Sequence, residues 1–286
     1  MRITGPGSIM HVVHASPDSA AGTRTVAVTL PEHVLGGTGR SLRVLGLDAR
    51  ALARSPRAAA VAVLQAGFAG GIDFVQAGPP ASELHVAAAH AGDPGRCFIA
   101  TGTPERSCEG ALRGLDRSLR RLGVGQLDLW QVLDLQRLDQ LDVVSRRDGA
   151  LAALVRAREE KLVRFIGLGG DSDPAVLLEA MRRFDFDTLL VPLRPGDRSF
   201  TAFRDQVLPQ ARRRGMGVIA CPGASGIAGV ACARYLLSYM LALAADVVAL
   251  PCTTPIDVET QLHAAAEAHP FSRAELARID ALLTGE

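Results

Sequence analysis

A chain of 286 residues, 48% of them hydrophobic, can bury a large core and suits one eight-stranded barrel better than two small domains. Its 31 Lys and Arg against 30 Asp and Glu leave a net charge of +1, which excludes a strong field for nucleic acid or an acidic surface. No apolar run is long enough to span a membrane, no basic-then-apolar leader pattern opens the chain, and the five cysteines form no CxxC pair; the expected setting is reduced and cytoplasmic.

Residues 1–24 are rich in Gly, Ser and Pro and read as a flexible extension, ahead of one barrel domain over residues 25–286. His11 and His14 lie there without a third and fourth ligand in view, so no metal site is expected. Thr25–Leu30 alternates like a short strand, Arg57–Gly67 reads as an Ala-rich helix after Pro56, and Ile72–Gln76 as a strand. Gly78-Pro79-Pro80 forms a turn, with Ser82 as the cap of a helix from Glu83 to His90. Strand Cys97–Thr101 leads to helix Cys108–Leu122. Strand Gln126–Leu133 leads through a polar loop to helix Gly149–Glu160, and strand Leu162–Leu168 closes on glycines. Pro174 opens a helix to Phe184. Strands Thr188–Leu193, Gly217–Ala220 and Val247–Leu250 alternate with helices Phe200–Arg214, Val230–Leu243 and Asp257–Glu267. Ser272 and Glu275 form the capping box of a last helix to Leu283. The count predicts an α/β fold, a (β/α)8 TIM barrel.

Four segments, in order, carry a family resemblance. GGIDFVQAG resembles the aldo-keto reductase segment "GINFFDTA", and SLRRLGVGQLDLWQVLD resembles a helix ending "RLG" followed by "DLYQIHD". EEKLVRFIGLGG is similar to "GKVRAIGVSN", and GMGVIACPGASG to "GIGVIAYSPLG". GRSLRVLG, Gly39–Gly46, resembles the family's opening hairpin and first strand, which implies a hairpin plugging the barrel bottom.

The resemblance implies hydride transfer from NADPH to a carbonyl, with a Tyr as proton donor, a Lys and an Asp that tune it, and a His that orients the substrate. A neutral phenol needs such a cation nearby to act as an acid near neutral pH. On the family pattern this sequence carries Gln76 at the Asp position, Ala81-Ser82-Glu83 without a Tyr, Gly102 at the Lys position, and Leu133 at the His position with Asp134 after it. The only lysine is Lys161, and the only tyrosines, Tyr235 and Tyr239, lie on one late helix. The cofactor positions diverge too. Gly169-Gly170 stand for "SN", Leu190 or Val191 for a Gln, and Cys252-Thr253-Thr254 follow Pro251 with no cation for a 2′-phosphate. Phosphate is left the backbone N–H groups at the start of the Asp257 helix. No bound cofactor is therefore expected, with NADP(H) or NAD(H) held at Gly169, Gly170, Thr253 and Thr254 as the alternative.

Asp48, Gln76 and Asp134 are the candidate acid–base groups at the strand ends, and Gly102, Leu133, Trp130 and Arg194 the candidate substrate contacts. Asp48 stands where the family pattern has a Gly. An isolated carboxylate in an apolar mouth would be poised for proton transfer; the alternative is a loop hydrogen-bonding role. Asp128 reads as structural, Asp173 as a helix cap, Gln131 as a polar group facing the barrel interior, and His85 and His90 as surface helix residues. Three functions follow. The first is a non-redox enzyme that dehydrates, cyclises or isomerises a hydrophobic small molecule in a bacterial biosynthetic pathway. The others are a residual NAD(P)H-dependent oxidoreductase and an inactive binding or regulatory subunit. The expected partner is a small-molecule substrate, with neither nucleic acid nor membrane; the sequence leaves the oligomeric state open.

Overall fold

The computed structural model describes residues 29–78, 80–91, 95, 97–193, 199–222 and 229–284. The N-terminal extension, most of the Thr25–Leu30 strand expectation and the Arg194–Arg198 loop lie outside them. Two short strands, β1 (Glu32–Val34) and β2 (Ser41–Arg43), pair antiparallel as a hairpin. Eight parallel strands then close a barrel: β3 (Leu45–Asp48), β4 (Phe74–Gln76), β5 (Phe98–Thr103), β6 (Leu127–Leu133), β7 (Val163–Gly169), β8 (Thr188–Val191), β9 (Gly217–Ala220) and β10 (Val247–Leu250). They neighbour one another in chain order, and β10 pairs with β3 to complete the ring. The (β/α)8 barrel expected from the strand count is thus observed. Both faces of each strand are covered, which is why the strands read as nearly continuous apolar runs.

The barrel interior is a packed core. Phe74, Phe98 and Phe165 stack in sequence, with ring centroids 5.8 and 6.2 Å apart. Leu35 and Leu42 of the hairpin join Phe74, Phe98 and Leu129 in the same interior cluster, so the hairpin plugs the barrel bottom. A Cβ on Gly36, where φ is +46°, would stand 2.1 Å from the Gly217 nitrogen; only glycine lets the plug come this close.

At or beside the start of every second barrel strand stands an aspartate that accepts an N–H from the strand before it or, for Asp73, from Arg43 at the end of β2. Asp73 accepts the Arg43 N–H (2.9 Å), Asp128 that of Ile99 (3.0 Å), Asp187 that of Ile166 (2.8 Å) and Asp246 that of Val218 (2.8 Å). The stagger of a barrel leaves such strand-edge groups without a ladder partner, and a short carboxylate reaches them. The structural reading of Asp128 follows from this bond.

Several local expectations shift. The helix after β4 runs Pro80–His90, so Ser82 sits inside its first turn, and its hydroxyl accepts the Gly78 N–H at 3.1 Å. The polar loop after β6 contains a helix, Leu138–Val144, anchored by buried Leu141 and Val144. The helix after β8 begins at Phe200 and includes a π-helical turn, Phe203–Val207, before Leu208–Arg213. Asp173 caps Pro174–Arg183 through the Ala175 and Val176 N–H groups, and the Ser272–Glu275 capping box is formed.

Candidate active site at the barrel mouth

The carboxyl ends of the strands surround two cavities, of about 290 and 490 Å³. The smaller lies over the lumen, walled by Asp48, Asp171, Leu190, Cys221 and Pro251. The larger opens beside it, among Gly102, Leu133, Trp130, Glu83 and the helix Cys108–Leu122. Arg50 walls both.

Asp48 ends β3 and is 6% exposed. Both its oxygens are engaged: Oδ1 accepts from Arg50 Nε (2.7 Å) and Arg50 N (3.1 Å), and Oδ2 from Arg50 Nη2 (2.8 Å). The expected isolated carboxylate is therefore absent, because a guanidinium two residues on folds back over it through the turn Ala49–Leu52. Burial works against the Arg50 charge, but the Asp48 hydrogen bonds outweigh it and hold the guanidinium protonated well above its ordinary range. Burial, reinforced by Asp48, pushes the neighbouring Cys221 thiol far up, so no thiolate nucleophile stands in the mouth.

Gln76 neighbours Asp48 in the sheet and is fully buried. Its Nε2 donates to the Ala77 carbonyl at 3.1 Å, while Oε1 has no partner among the described residues. Gln131 is also fully buried, and neither polar atom of its amide finds a partner there.

Asp134 takes a different part. It adopts φ 60°, a left-handed conformation that aspartate tolerates. Its N–H donates to the Gly169 carbonyl (3.0 Å) and its Oδ1 accepts the Asp171 N–H (3.1 Å), tying the end of β6 to the loop after β7. Arg106 donates to the Leu133 and Asp134 carbonyls at 2.9 and 2.7 Å. A Cβ on Gly170, at φ +83°, would stand 2.5 Å from Asp134 Oδ1.

Gly102 and Leu133 meet directly, with the leucine side chain over the glycine. Trp130 is buried and belongs to the core between barrel and helices rather than to the lumen cluster; it reaches only the larger cavity. Arg194 lies outside the described residues. His85 is buried, not on the surface, with its Nδ1 unpartnered among the described residues.

The positions expected to degenerate as a cofactor site are committed to the chain itself. Gly169 lets β7 approach β8: a Cβ there would stand 2.2 Å from the Leu190 carbonyl oxygen, and the Gly170 N–H donates to that oxygen at 3.2 Å. Asp257 Oδ2 accepts from Thr253 N (2.8 Å), Thr253 Oγ1 (2.9 Å) and Thr254 N (2.9 Å), closing the start of helix Pro255–Ala266. Among the described residues, the Thr253 and Thr254 donors at this helix start are thus already taken by a carboxylate.

Three site residues escaped the sequence reading. Arg50 had a signal, its place two residues after Asp48. Glu83 and Arg121 had none, lying 38 residues apart. Glu83 is 1% exposed, accepting Arg121 Nε on Oε2 at 2.5 Å and the Thr101 hydroxyl on Oε1 at 3.0 Å.

No protein-family model matches this chain, and no curated protein sequence does. Solved structures do resemble it. Aldo-keto reductase AKR11C1 from Bacillus halodurans, in its holo form, superposes with a TM-score of 0.73 at 18% identity, covering 89% of this chain and 96% of that one. An aldo-keto reductase from Klebsiella pneumoniae in complex with NADPH gives 0.71 at 17% identity, covering 89% and 96%. Bombyx mori aldo-keto reductase AKR2E4 in complex with NADP gives 0.70 at 14%, covering 89% and 93%. The hairpin-plugged ring of eight βα units is therefore a barrel of the aldo-keto reductase type.

Proposed function

We propose that the chain is a divergent member of the aldo-keto reductase superfamily that has left hydride transfer. It binds a hydrophobic small molecule at the barrel mouth and assists a dehydration, cyclisation or isomerisation in a bacterial biosynthetic pathway. The observation that carries this reading is the contact of Leu133 with Gly102. At the two positions where the resemblance expects a His and a Lys, an aliphatic side chain covers a bare backbone. Lys161, the only lysine, sits in the turn before β7, at the opposite end of the barrel. The Tyr239 ring stacks on Phe200 and the Tyr235 ring packs on Phe271. A phenol–lysine proton donor has no seat at the described mouth.

The groups that remain suit polar chemistry. Arg50, held in one orientation by Asp48, offers a fixed positive charge to an oxygen that becomes negative during reaction. Gln76 Oε1 is buried, has no partner among the described residues and borders neither cavity, so it is left as a polar group inside the barrel rather than a ligand contact. Asp48 is then a positioning residue acting through Arg50, and Asp134 shapes the loop.

The second reading, a residual oxidoreductase, is favoured by the similar structures that hold NADPH and NADP. Calorimetric titration of the purified protein with NADPH and NADH separates the two. The expected result is no binding at millimolar cofactor; micromolar binding would overturn the non-redox reading and install the second.

A further inference from the structure

The barrel lumen carries polar side chains left over from the hydrogen bonding of the described residues. Gln76, Gln131 and Thr188 are each fully buried. Gln76 Oε1, both polar atoms of the Gln131 amide and Thr188 Oγ1 have no partner among the described residues. All three side chains face inward. A Cβ on Gly167 would stand 2.5 Å from Thr188 Oγ1, 2.9 Å from Gln131 Cγ and 3.3 Å from Leu129 Cδ1, so these side chains meet over β7 beside a leucine of the interior cluster. Phe74 of the same cluster lies two residues before Gln76 on β4, and strand alternation puts Gln76 on that face too. Ala100 pairs in the sheet with both Gln76 and Leu129. Barrel stagger lifts each tier by about one residue per strand, so Gln131, two residues beyond Leu129 and two strands from Gln76, stands level with Gln76. The sheet neighbours of the two amides on this side are small: Ala100 beside Gln76, and Gly102 and Gly167 on either side of Gln131.

We propose that the lumen binds at least one buried water, held by the Gln131 amide and the Thr188 hydroxyl and reaching Gln76 Oε1. The inference does not depend on the reading of the mouth. A buried amide or hydroxyl without a partner is as costly as the hydrogen bonds it gave up to leave water. No two of the four atoms bond to one another. The second polar atom of Gln76 is already spent, since its Nε2 donates to the Ala77 carbonyl. The set mixes donors with acceptors: the Gln131 Nε2 donates, the two amide oxygens accept, and the Thr188 hydroxyl does either. Water also does both, and a buried water makes about three such bonds, which these four atoms supply. An apolar occupant would leave all four unpaired.

Magnetic relaxation dispersion of water, recorded on the full chain, counts the molecules that stay bound for longer than the protein takes to tumble. Gln131→Met and Thr188→Val replace the polar atoms by apolar ones of similar size, so the lumen stays filled. The combined variant should hold at least one long-lived water fewer than the parent, with each single variant between the two or equal to the combined one. Equal counts in the parent and the combined variant overturn the proposal. If the combined variant does not fold, a high-resolution crystal structure of the parent decides. Water density within hydrogen-bond distance of the Gln131 amide supports the site. A Gln131 amide bonded directly to Gln76 or Thr188, or one with no water beside it, overturns it. Cofactor binding at the mouth would sink the non-redox reading without altering these outcomes, so the two failures are distinguishable.

Discussion

The Leu133 side chain occupies the space that a side chain at Gly102 would need: a Cβ there would stand 2.4 Å from Leu133 Cδ1, 2.6 Å from its Cγ and 2.9 Å from the Gln131 carbonyl oxygen. The two residues are an interlocked pair on adjacent strands. Gly102→Ala should cost about 1–3 kcal/mol by overpacking. In a Leu133→Ala background the cost should shrink, since only the backbone oxygen still crowds the methyl. Urea midpoints of the two single variants and the double form a cycle; equal costs of Gly102→Ala in both backgrounds would mean no interlock.

The Glu83–Arg121 pair joins the helix Pro80–His90 to the helix Cys108–Leu122 beneath the larger cavity. Removing Glu83 leaves a guanidinium that is 23% exposed and has lost its main partner. Glu83→Ala should therefore cost about 2–3 kcal/mol, below the range for a fully buried pair because water partly screens Arg121. Glu83→Met with Arg121→Met should be milder than Glu83→Ala alone, measured by chemical denaturation.

Burial pushes the Cys252 thiol up to about 12, with Asp257 adding to it, and raises Cys221 further. The unfolded chain loses these protons near pH ~8.5, the folded chain at higher pH. Stability from these groups is thus fully present below that value and declines as pH rises towards the folded pKa. Urea midpoints should fall between pH 8 and 10 more in the parent than in Cys252→Ala, all other groups being shared. Exposed Cys232 should react first with a thiol reagent at pH 8, and Cys97, Cys221 and Cys252 only on unfolding. Rapid modification of Cys221 in the native protein would show that water enters the mouth freely.

Partial burial disfavours the Asp257 charge, but the hydrogen bonds from Thr253 and Thr254 outweigh it and hold the carboxyl below its ordinary value. Its contribution is present above the unfolded carboxyl pKa of about 3.9 and is lost as pH falls through the folded value. Asp257→Ala should cost about 1 kcal/mol at pH 7, the usual worth of such a cap, and the gap between the two proteins should close in strong acid. A constant gap from pH 7 down to pH 2 would show that the ionised cap adds nothing.

The sequence alone determined the barrel. Apolar strands, helix-period segments and turn residues are local signals, and eight strand–helix units leave few ways to bury the strands on both faces. It also carried an aspartate at or beside the start of every second barrel strand, Asp73, Asp128, Asp187 and Asp246, although what each secures is visible only in the fold. The helix Leu138–Val144 was obscured because the charges around it hide two anchoring residues, Leu141 and Val144.

The tertiary structure decided the chemistry of the mouth. Asp48 reads in the sequence as a new carboxylate; whether it stands free or paired depends on Arg50 folding back through a turn. Glu83 meets Arg121, and Leu133 covers Gly102, only because closure of the barrel brings distant segments together. Strand periodicity is written in neighbouring residues. Ion pairing, burial and steric exclusion at the mouth depend on distances between residues far apart in the chain, and those distances exist only once the ring of strands has closed.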